Sequence, residues 1–525
     1  MAKSRRKEVE TEDKLIDINR KKCIGCSACA MACTGITNIS VLRTVNDIKR
    51  SVTPKKCSFK ESGCIYCGQC TAICPTNAME PTSDINKVRE ALNNGKYIIA
   101  IAAPAVKVTL GEEFRLPIGT DVEGKVQASA RKLGFQRVFD SDFGGDITAV
   151  EQSHEFLRRM KIRDNLPMFT SACPAWVRWV EVFRPNMIGY LSTVKSPQQI
   201  MGTAIKTYYA ENFKILPKNI FVVSIEPCTA KKYEAEREDM GRDEYRDIDA
   251  VLTVRQYAEL LKENSIDITA IASEKSDNYL GDFTASGTAF GMCQGNAKAI
   301  LRAISYTLNE EETKIDDLEF SPIEGLENSF KLNIKIGNMD IKTAVITSVR
   351  DIEKFISTEQ WKKYDLVEVT ACPGGCINGG GAPKTIKKAV INTDKCVGCG
   401  TCAENCPSYA IQIRSSNYAE LNKDRCIGCT LCKDICRTRA ITIDTYNYGS
   451  KDPLEESYIE LRTKALKELC HKNILKCSRE NKELNNMYRG YMKEPYGDKA
   501  KNLFHSSFTD RSNDINEGDR NKKRR

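Results

Sequence analysis

Four stretches of the chain place cysteines on one spacing, and sixteen sulfurs held that way leave few folds open. Cys23, Cys26, Cys29 and Cys33 are followed by Cys64, Cys67, Cys70 and Cys74. The pattern returns as Cys396, Cys399, Cys402 and Cys406, then as Cys426, Cys429, Cys432 and Cys436. Three thiolates at two-residue gaps wrap three corners of a 4Fe–4S cube, and in paired-cluster folds the fourth cysteine of each run ligates the other cube. The spacing therefore predicts one cube on Cys23, Cys26, Cys29 and Cys74, with its partner on Cys64, Cys67, Cys70 and Cys33. Downstream it predicts Cys396, Cys399, Cys402 with Cys436, and Cys426, Cys429, Cys432 with Cys406. Zinc on two separated Cys-x2-Cys pairs needs no third cysteine at the same gap. Two such modules imply electrons moving stepwise through the protein.

Composition fits an iron–sulfur protein. Of 525 residues, 24 are cysteines. The start, MAKSRRKEVETEDK, is charged and lacks an apolar segment, and the run YIIAIAAPAV is too short to span a bilayer. A cytoplasmic location without membrane attachment is expected, where clustered cysteines bind metal rather than pair as disulfides. The net charge of +9 comes from 79 basic and 70 acidic residues, much of the excess lying in KSRRK and DRNKKRR near the ends. No basic face interleaved with aromatics accompanies it, which argues against a nucleic-acid partner. Solvated tails remain, with a weak preference for acidic partners such as small electron carriers.

Eight cysteines stand outside the runs. Cys173 lies in TSACPAW, Cys228 in IEPCTAKKYE, and Cys372 and Cys376 in EVTACPGGCINGGG. Each segment follows an apolar stretch that reads as a buried strand: PMFT, NIFVVSI and YDLVEV. Helical patterns such as AVEQSHEFLRRMKI lie between them, so a mainly parallel sheet is expected. Open parallel sheets place their sites beyond the carboxyl ends of the strands. Four cysteines from three strand ends can thus converge on a fifth cube. Cys57, Cys293, Cys470 and Cys477 read as ordinary thiols, and His154, His471 and His505 are assigned no ligand role.

TSACPAW, PCTAKKYE and EVTACPGGCINGGG resemble, in order, the three active-site motifs of the iron-only (FeFe) hydrogenases. IAAPAVKVTLGEEF, KLGFQRVFDSDFGGDITAVE, LSTVKSPQQIMG and TASGTAFGMCQGNAKAILRA are similar to further segments of that family's catalytic domain. NMYRGYMKEPYGDKAKNLFHSSFTDR resembles its small C-terminal helical segment, and residues 20–85 its paired-cluster module. The resemblance implies an α/β catalytic domain of FeFe-hydrogenase type, with two ferredoxin-like (α+β) double-cluster modules and a C-terminal helical segment. The expected order is a charged tail (1–15), a double 4Fe–4S module (16–86), the catalytic domain (87–388), an inserted second module (389–445), a helical segment packing on the catalytic domain (446–512) and a charged disordered tail (513–525). The inserted module departs from the family's usual plan and reads as a second electron entrance or exit.

The same resemblance implies an H-cluster: a 4Fe–4S cube bridged through one cysteine to a two-iron unit carrying CO, cyanide and a dithiolate amine, alongside four accessory 4Fe–4S clusters. By motif position Cys173, Cys228, Cys372 and Cys376 ligate the cube, and Cys376 is the bridge. Lys231 matches the lysine that hydrogen-bonds a cyanide, an anion costly to keep in a dry cavity unless paired. Ala103 and Pro104 match the backbone lining the other cyanide, and Gln198 matches a side chain near the carbonyls. Gly379, Gly380 and Gly381 allow close backbone approach to the site. Implied partners are hydrogen and protons, a ferredoxin-like electron carrier or signalling protein, and the maturation proteins that supply the cofactor.

Ala172 is the departure with most consequence. Catalytic members of the family carry there a cysteine that passes protons to the bridgehead amine, followed by a glutamate, a serine and a glutamate. By register these are Gln152, Ser192 and Glu155. Alanine has no proton to give, and an amide cannot cycle its charge. In carrying alanine the chain is similar to the family's sensory hydrogenases, so a low-turnover hydrogen sensor is expected. The alternatives are a metabolic enzyme with a modified proton path, or a hydrogenase-like iron–sulfur assembly protein without the diiron unit. Glu226 and Thr370 replace methionines beside the site and change the polarity around the diiron unit; Glu226 is a candidate substitute proton relay.

Overall fold

The run Tyr97–Ala102 is buried from Ile98 onward, as a strand covered on both faces requires. It belongs to a computed structural model that describes residues 15–46, 50–242, 244–309, 318–413 and 417–515. The charged tails expected over 1–15 and 513–525 fall outside these apart from residues 15 and 513–515. In chain order the strands of the central region are Tyr97–Ala102 (β1), Arg137–Asp140 (β2), Met168–Phe169 (β3), Ile220–Glu226 (β4), Ala250–Thr253 (β5), Ser321–Pro322 (β6), Ser329–Ile336 (β7), Met339–Thr347 (β8) and Leu366–Thr370 (β9).

These strands form two sheets, where the sequence pointed to one mainly parallel sheet. The first runs β2-β1-β4-β5 and is parallel throughout. The second runs β6-β7-β8-β9-β3, antiparallel at its first two pairings and parallel at its last two. The antiparallel part of the second sheet has its physical reason at Gly337 and Asn338. They close a two-residue hairpin between β7 and β8, in which Ile336 pairs with Met339 and Gly337 takes φ +56°. Strand β7 then alternates exposed and half-buried side chains, the mark of an antiparallel strand with one wet face.

Helices follow the strand ends that matter. Helix α1 (Asp142–Ile162) follows β2, α2 (Pro174–Phe183) follows β3, and α3 (Pro197–Ala204) begins at the SPQQ stretch. Proline opens both α2 and α3 at the first helical position, where its missing N–H is no loss. The short α4 (Ala230–Ala235) follows β4. Cys173, Cys228 and Cys372 therefore stand just past the carboxyl ends of β3, β4 and β9.

Both cysteine-rich modules share one plan. In the first, Ile16–Ile18 pairs antiparallel with Met79–Pro81; in the second, Ile386–Ile391 pairs with Ile441–Tyr446. That last pairing starts at residue 386, so the expected 388/389 boundary cuts through a strand. The C-terminal segment contributes α5 (Tyr458–Lys472). From it the buried Arg462 donates to Glu112 Oε1 at 2.8 Å and Oε2 at 2.6 Å, to the Ile377 carbonyl at 3.0 Å and to the Pro383 carbonyl at 3.2 Å. The loop between Cys376 and Pro383 is thus held by a helix made some eighty residues later. The glycine run in that loop permits close approach of protein to protein. A Cβ on Gly379 would lie 2.3 Å from the Pro227 carbonyl oxygen, and one on Gly380 2.4 Å from that of Cys67.

Candidate active site

The regular cysteines ring open spaces. Cys23, Cys26, Cys29 and Cys74 line one of about 350 Å³, Cys33, Cys64, Cys67 and Cys70 another of about 350 Å³, and Cys406, Cys426, Cys429 and Cys432 a third of about 340 Å³. Cys396, Cys402 and Cys436 pack into the second module's small core, while Cys399 is exposed. No three Cys, His, Asp or Glu side chains among the described residues converge on one point as a lone metal ion requires. Sulfurs spread around a cage suit a cube, in which each binds a different corner.

The remaining motif cysteines come together between the two sheets. Cys173, Cys228, Cys372 and Cys376 lie within one another's electrostatic reach. Burial pushes the Cys376 thiol up to about 12 and those of Cys228 and Cys372 well above the ordinary range. Thiolates in such a place become tolerable when cationic iron is bound. The first module reaches this set directly: Gln69 Nε2 donates to Cys372 Sγ at 3.4 Å and to the Asn378 carbonyl at 2.8 Å.

Cys173 and Cys376 of this set also line an adjoining cavity. Its wall includes Ala103, Pro104, Ala172, Gln198, Glu226, Lys231, Thr370 and Cys376, residues scattered over 270 positions of sequence. Gln198 donates through Nε2 to the Lys231 carbonyl at 3.3 Å and Glu234 at 3.2 Å, and its buried Oε1 has no partner. A buried amide satisfied at one end only is suited to a polar ligand. These features fit a group bearing small polar diatomic ligands.

Lys231 is buried, donating to Glu234 Oε2 at 2.9 Å and to the Ala172 carbonyl at 3.2 Å. Burial opposes its charge; Glu234 and Glu226 more than offset that and hold the ammonium above its usual range. Glu234 also accepts from Ser196 Oγ at 2.8 Å. It was not singled out from sequence, although it stands inside PCTAKKYE one helical turn from Lys231. Burial pushes the Glu226 carboxyl up to about 7 against the pull of Lys231, and Ser224 Oγ donates to it at 3.2 Å. Glu368, also missed, lines the cavity and accepts from the backbone N–H groups of Gln294 at 3.0 Å and Ala297 at 2.7 Å. Its partners lie some seventy residues away, so no local signal marks it.

The relay positions form a contiguous buried chain. Gln152 Nε2 donates to Ser192 Oγ at 3.4 Å, and Ser192 Oγ donates to Glu155 Oε2 at 2.7 Å. Glu155 is also held by Arg159 at 2.6 Å. Gln152 Oε1 is buried without a partner. Cys293 is half-buried, Cys470 and Cys477 are buried and Cys57 is exposed, none in a disulfide. His154 and His471 stand away from the cavity wall, and His505 Nδ1 bonds Thr193 Oγ1 at 2.7 Å.

Known proteins agree with this geometry. Profiles described as iron hydrogenase small subunit and 4Fe-4S dicluster domain match residues 456–511, 22–78 and 389–443. Iron hydrogenase 1 of Clostridium pasteurianum is 36% identical over 400 residues, covering 75% of this chain and 69% of its own. A solved FeFe hydrogenase from Chlamydomonas reinhardtii superposes with a TM-score of 0.62 at 25% identity, over 81% of this chain and 99% of that one. Cytosolic iron-sulfur assembly component 3 of Rattus norvegicus is more distant, 29% identical over 358 residues, 65% of this chain and 75% of that protein. The profile for the iron only hydrogenase large subunit, C-terminal domain, spans residues 96–380, taking in all four cavity cysteines and more than half the chain, which therefore belongs to the FeFe hydrogenases.

Proposed function

We propose that this hydrogenase is a low-turnover hydrogen sensor or signalling enzyme working in the cytoplasm. When bound, the diiron unit of an H-cluster supplies the gas-binding metal and a bridgehead amine base. Cys173, Cys228, Cys372 and Cys376 would hold the cube, with Cys376 as the bridge. Lys231, the Ala103–Pro104 backbone and Gln198 would meet cyanide and carbonyl ligands, the ammonium as a charge-assisted donor. Thr370 sets the polarity of the wall beside them. No helix among the described residues is long and apolar enough to cross a membrane.

The observation carrying this reading is Ala172. It puts a methyl group on the cavity wall where a proton-passing thiol is needed, ahead of an uncharged Gln152. A positioned donor contributes on the order of 10²–10⁴ in rate. Its loss slows proton exchange and leaves gas binding intact. Electrons leave through a ferredoxin-like carrier or a signalling partner, and maturation proteins deliver the diiron unit. The test is an infrared spectrum of the matured protein under argon, then hydrogen, with turnover measured beside it. CO and cyanide bands that shift under hydrogen, together with slow turnover, are expected. Fast turnover makes the enzyme metabolic; absent bands with intact accessory clusters make it an assembly or electron-transfer protein.

Glu226 favours a second reading, a metabolic enzyme with a rerouted proton path. Its carboxylate lines the cavity within the field of Lys231, which bonds Glu234 and through it Ser196. If protons take that route, Glu226→Gln lowers hydrogen–deuterium exchange by on the order of 10²-fold, the low end of what a positioned acid–base group contributes. Unchanged exchange ends the idea.

A further inference from the structure

The inserted module meets the N-terminal module through the cluster ligands themselves. Cys429 and Cys26 are buried together with Ala28 and Leu431, flanked by Met31, Ile73 and Ile435. Cys26 belongs to the Cys23, Cys26, Cys29 and Cys74 cage, and Cys429 to the Cys406, Cys426, Cys429 and Cys432 cage. The two cages thus face each other across an apolar seam. Lysines from the connecting segment tie both sides. Lys384 Nζ donates to the Cys74 carbonyl at 2.7 Å, and Lys388 Nζ to the Cys426 carbonyl at 2.6 Å.

The same adjacency continues inward. Cys29 of one cage lies within the field of Cys70 of the next, and Cys67 of that cage stands beside Cys372 and Cys173. It also continues outward, where Cys396, Cys402 and Cys436 share one small core with Cys406, Cys426 and Cys432. Every ligand of the Cys23, Cys26, Cys29 and Cys74 cage is buried. Cys399, by contrast, is exposed, next to Val397 at 68% exposure. Arg437 lies within the field of Cys399, and Lys395 and Arg439 are exposed close by in sequence to Cys396 and Cys436.

We infer that the four accessory cubes form one unbranched series ending at the Cys396, Cys399, Cys402 and Cys436 site, and that the Val397–Cys399–Arg437 face docks a soluble, acidic, one-electron iron–sulfur carrier. The inserted module then lengthens the first path rather than opening a second one. Electron tunnelling falls steeply with distance, so ligand-to-ligand packing at each junction favours this order over any jump. Oxidation of one hydrogen molecule gives two protons and two electrons. The electrons pass outward singly, and two oxidised carriers dock in turn and leave reduced; hydrogen production reverses each step. Beside this small apolar spot Lys395, Arg437 and Arg439 stand against the exposed carboxylates of Asp394 and Glu404, and the remaining positive balance suits an acidic carrier and steers its approach. This inference rests on cluster loading of both modules and not on the sensory reading.

Two measurements on the full-length holoprotein test it. In the reduced protein, electron paramagnetic resonance should show magnetic interaction between clusters of the two modules, and Ile435→Glu at the seam should abolish it. Met31→Glu, on the facing side, serves if the first variant fails to fold. Isolated signals from the two modules in the wild type overturn the series. Calorimetric titration with a small acidic bacterial ferredoxin should give an affinity that falls with salt and drops about tenfold or more in Arg437→Glu, a loss of about 1.4 kcal/mol. Lys395→Glu is the second variant. Unchanged affinity in both overturns the docking face. Iron content and infrared bands of the same samples separate failed loading of the active site from failure of the series.

Discussion

Restoring a thiol at position 172 and a carboxylate at position 152 raises hydrogen turnover by on the order of 10²-fold or more. The outer half of the relay already stands: Ser192 Oγ is 2.7 Å from Glu155 and 3.4 Å from the Gln152 amide. Ala172→Cys adds one sulfur to a residue that already lines the cavity. Gln152→Glu supplies a group that can both take and give a proton. Because the two breaks lie in series, each single variant gains little, and the pair gains more than the product of the singles. Hydrogen–deuterium exchange and evolution with a reduced carrier measure the gain, while the infrared response to hydrogen stays as in the wild type. A second carboxylate near the buried Glu155 lowers stability, so Tm is followed in parallel. A double variant as slow as the parent shows that the relay does not limit turnover and removes the support for a sensor.

Lys231→Met produces a loss of comparable size by a different physical route. The ammonium is the cation beside two buried carboxylates, Glu234 at 2.9 Å and Glu226 within its field. Removing one partner of a buried ion pair leaves an uncompensated charge and costs about 3–5 kcal/mol. It also removes the donor proposed for cyanide. Two effects are therefore expected: a lower denaturation midpoint in the apoprotein, and loss of the CO and cyanide bands after maturation. Lys231→Met combined with Glu234→Gln separates them. Neutralising Glu234 restores most of the stability while the bands stay absent. Bands that return with stability make Lys231 a structural residue only.

Much of this architecture could be read from sequence because its signals are local. A three-cysteine wrap is complete within seven residues, and the strands before Cys173, Cys228 and Cys372 announce themselves as apolar runs. The division into two sheets was not legible, since it depends on β9 pairing with β8 and β3 rather than with β1 or β4. Glu234 was within reach, one turn from Lys231. Glu368 and Gln69 were not; each acts on groups about seventy or three hundred residues distant. The order of Gln152, Ser192 and Glu155 was found through family resemblance alone. Their contiguity needs α1 packed beside the segment after β3, a contact no pattern in either stretch encodes.

The buried Arg462 sets a timetable for biosynthesis. The loop from Cys376 to Pro383 takes two of its hydrogen bonds from a side chain on α5, and the whole inserted module lies between them in the chain. While a ribosome is still making that module, the loop carrying Cys376 has no such clamp. The second module must be translated and folded out of the way before α5 can close over the loop. A nascent chain therefore passes through a stage in which the loop carrying Cys376 lacks the Arg462 contacts, and the length of the inserted module decides how long that stage lasts.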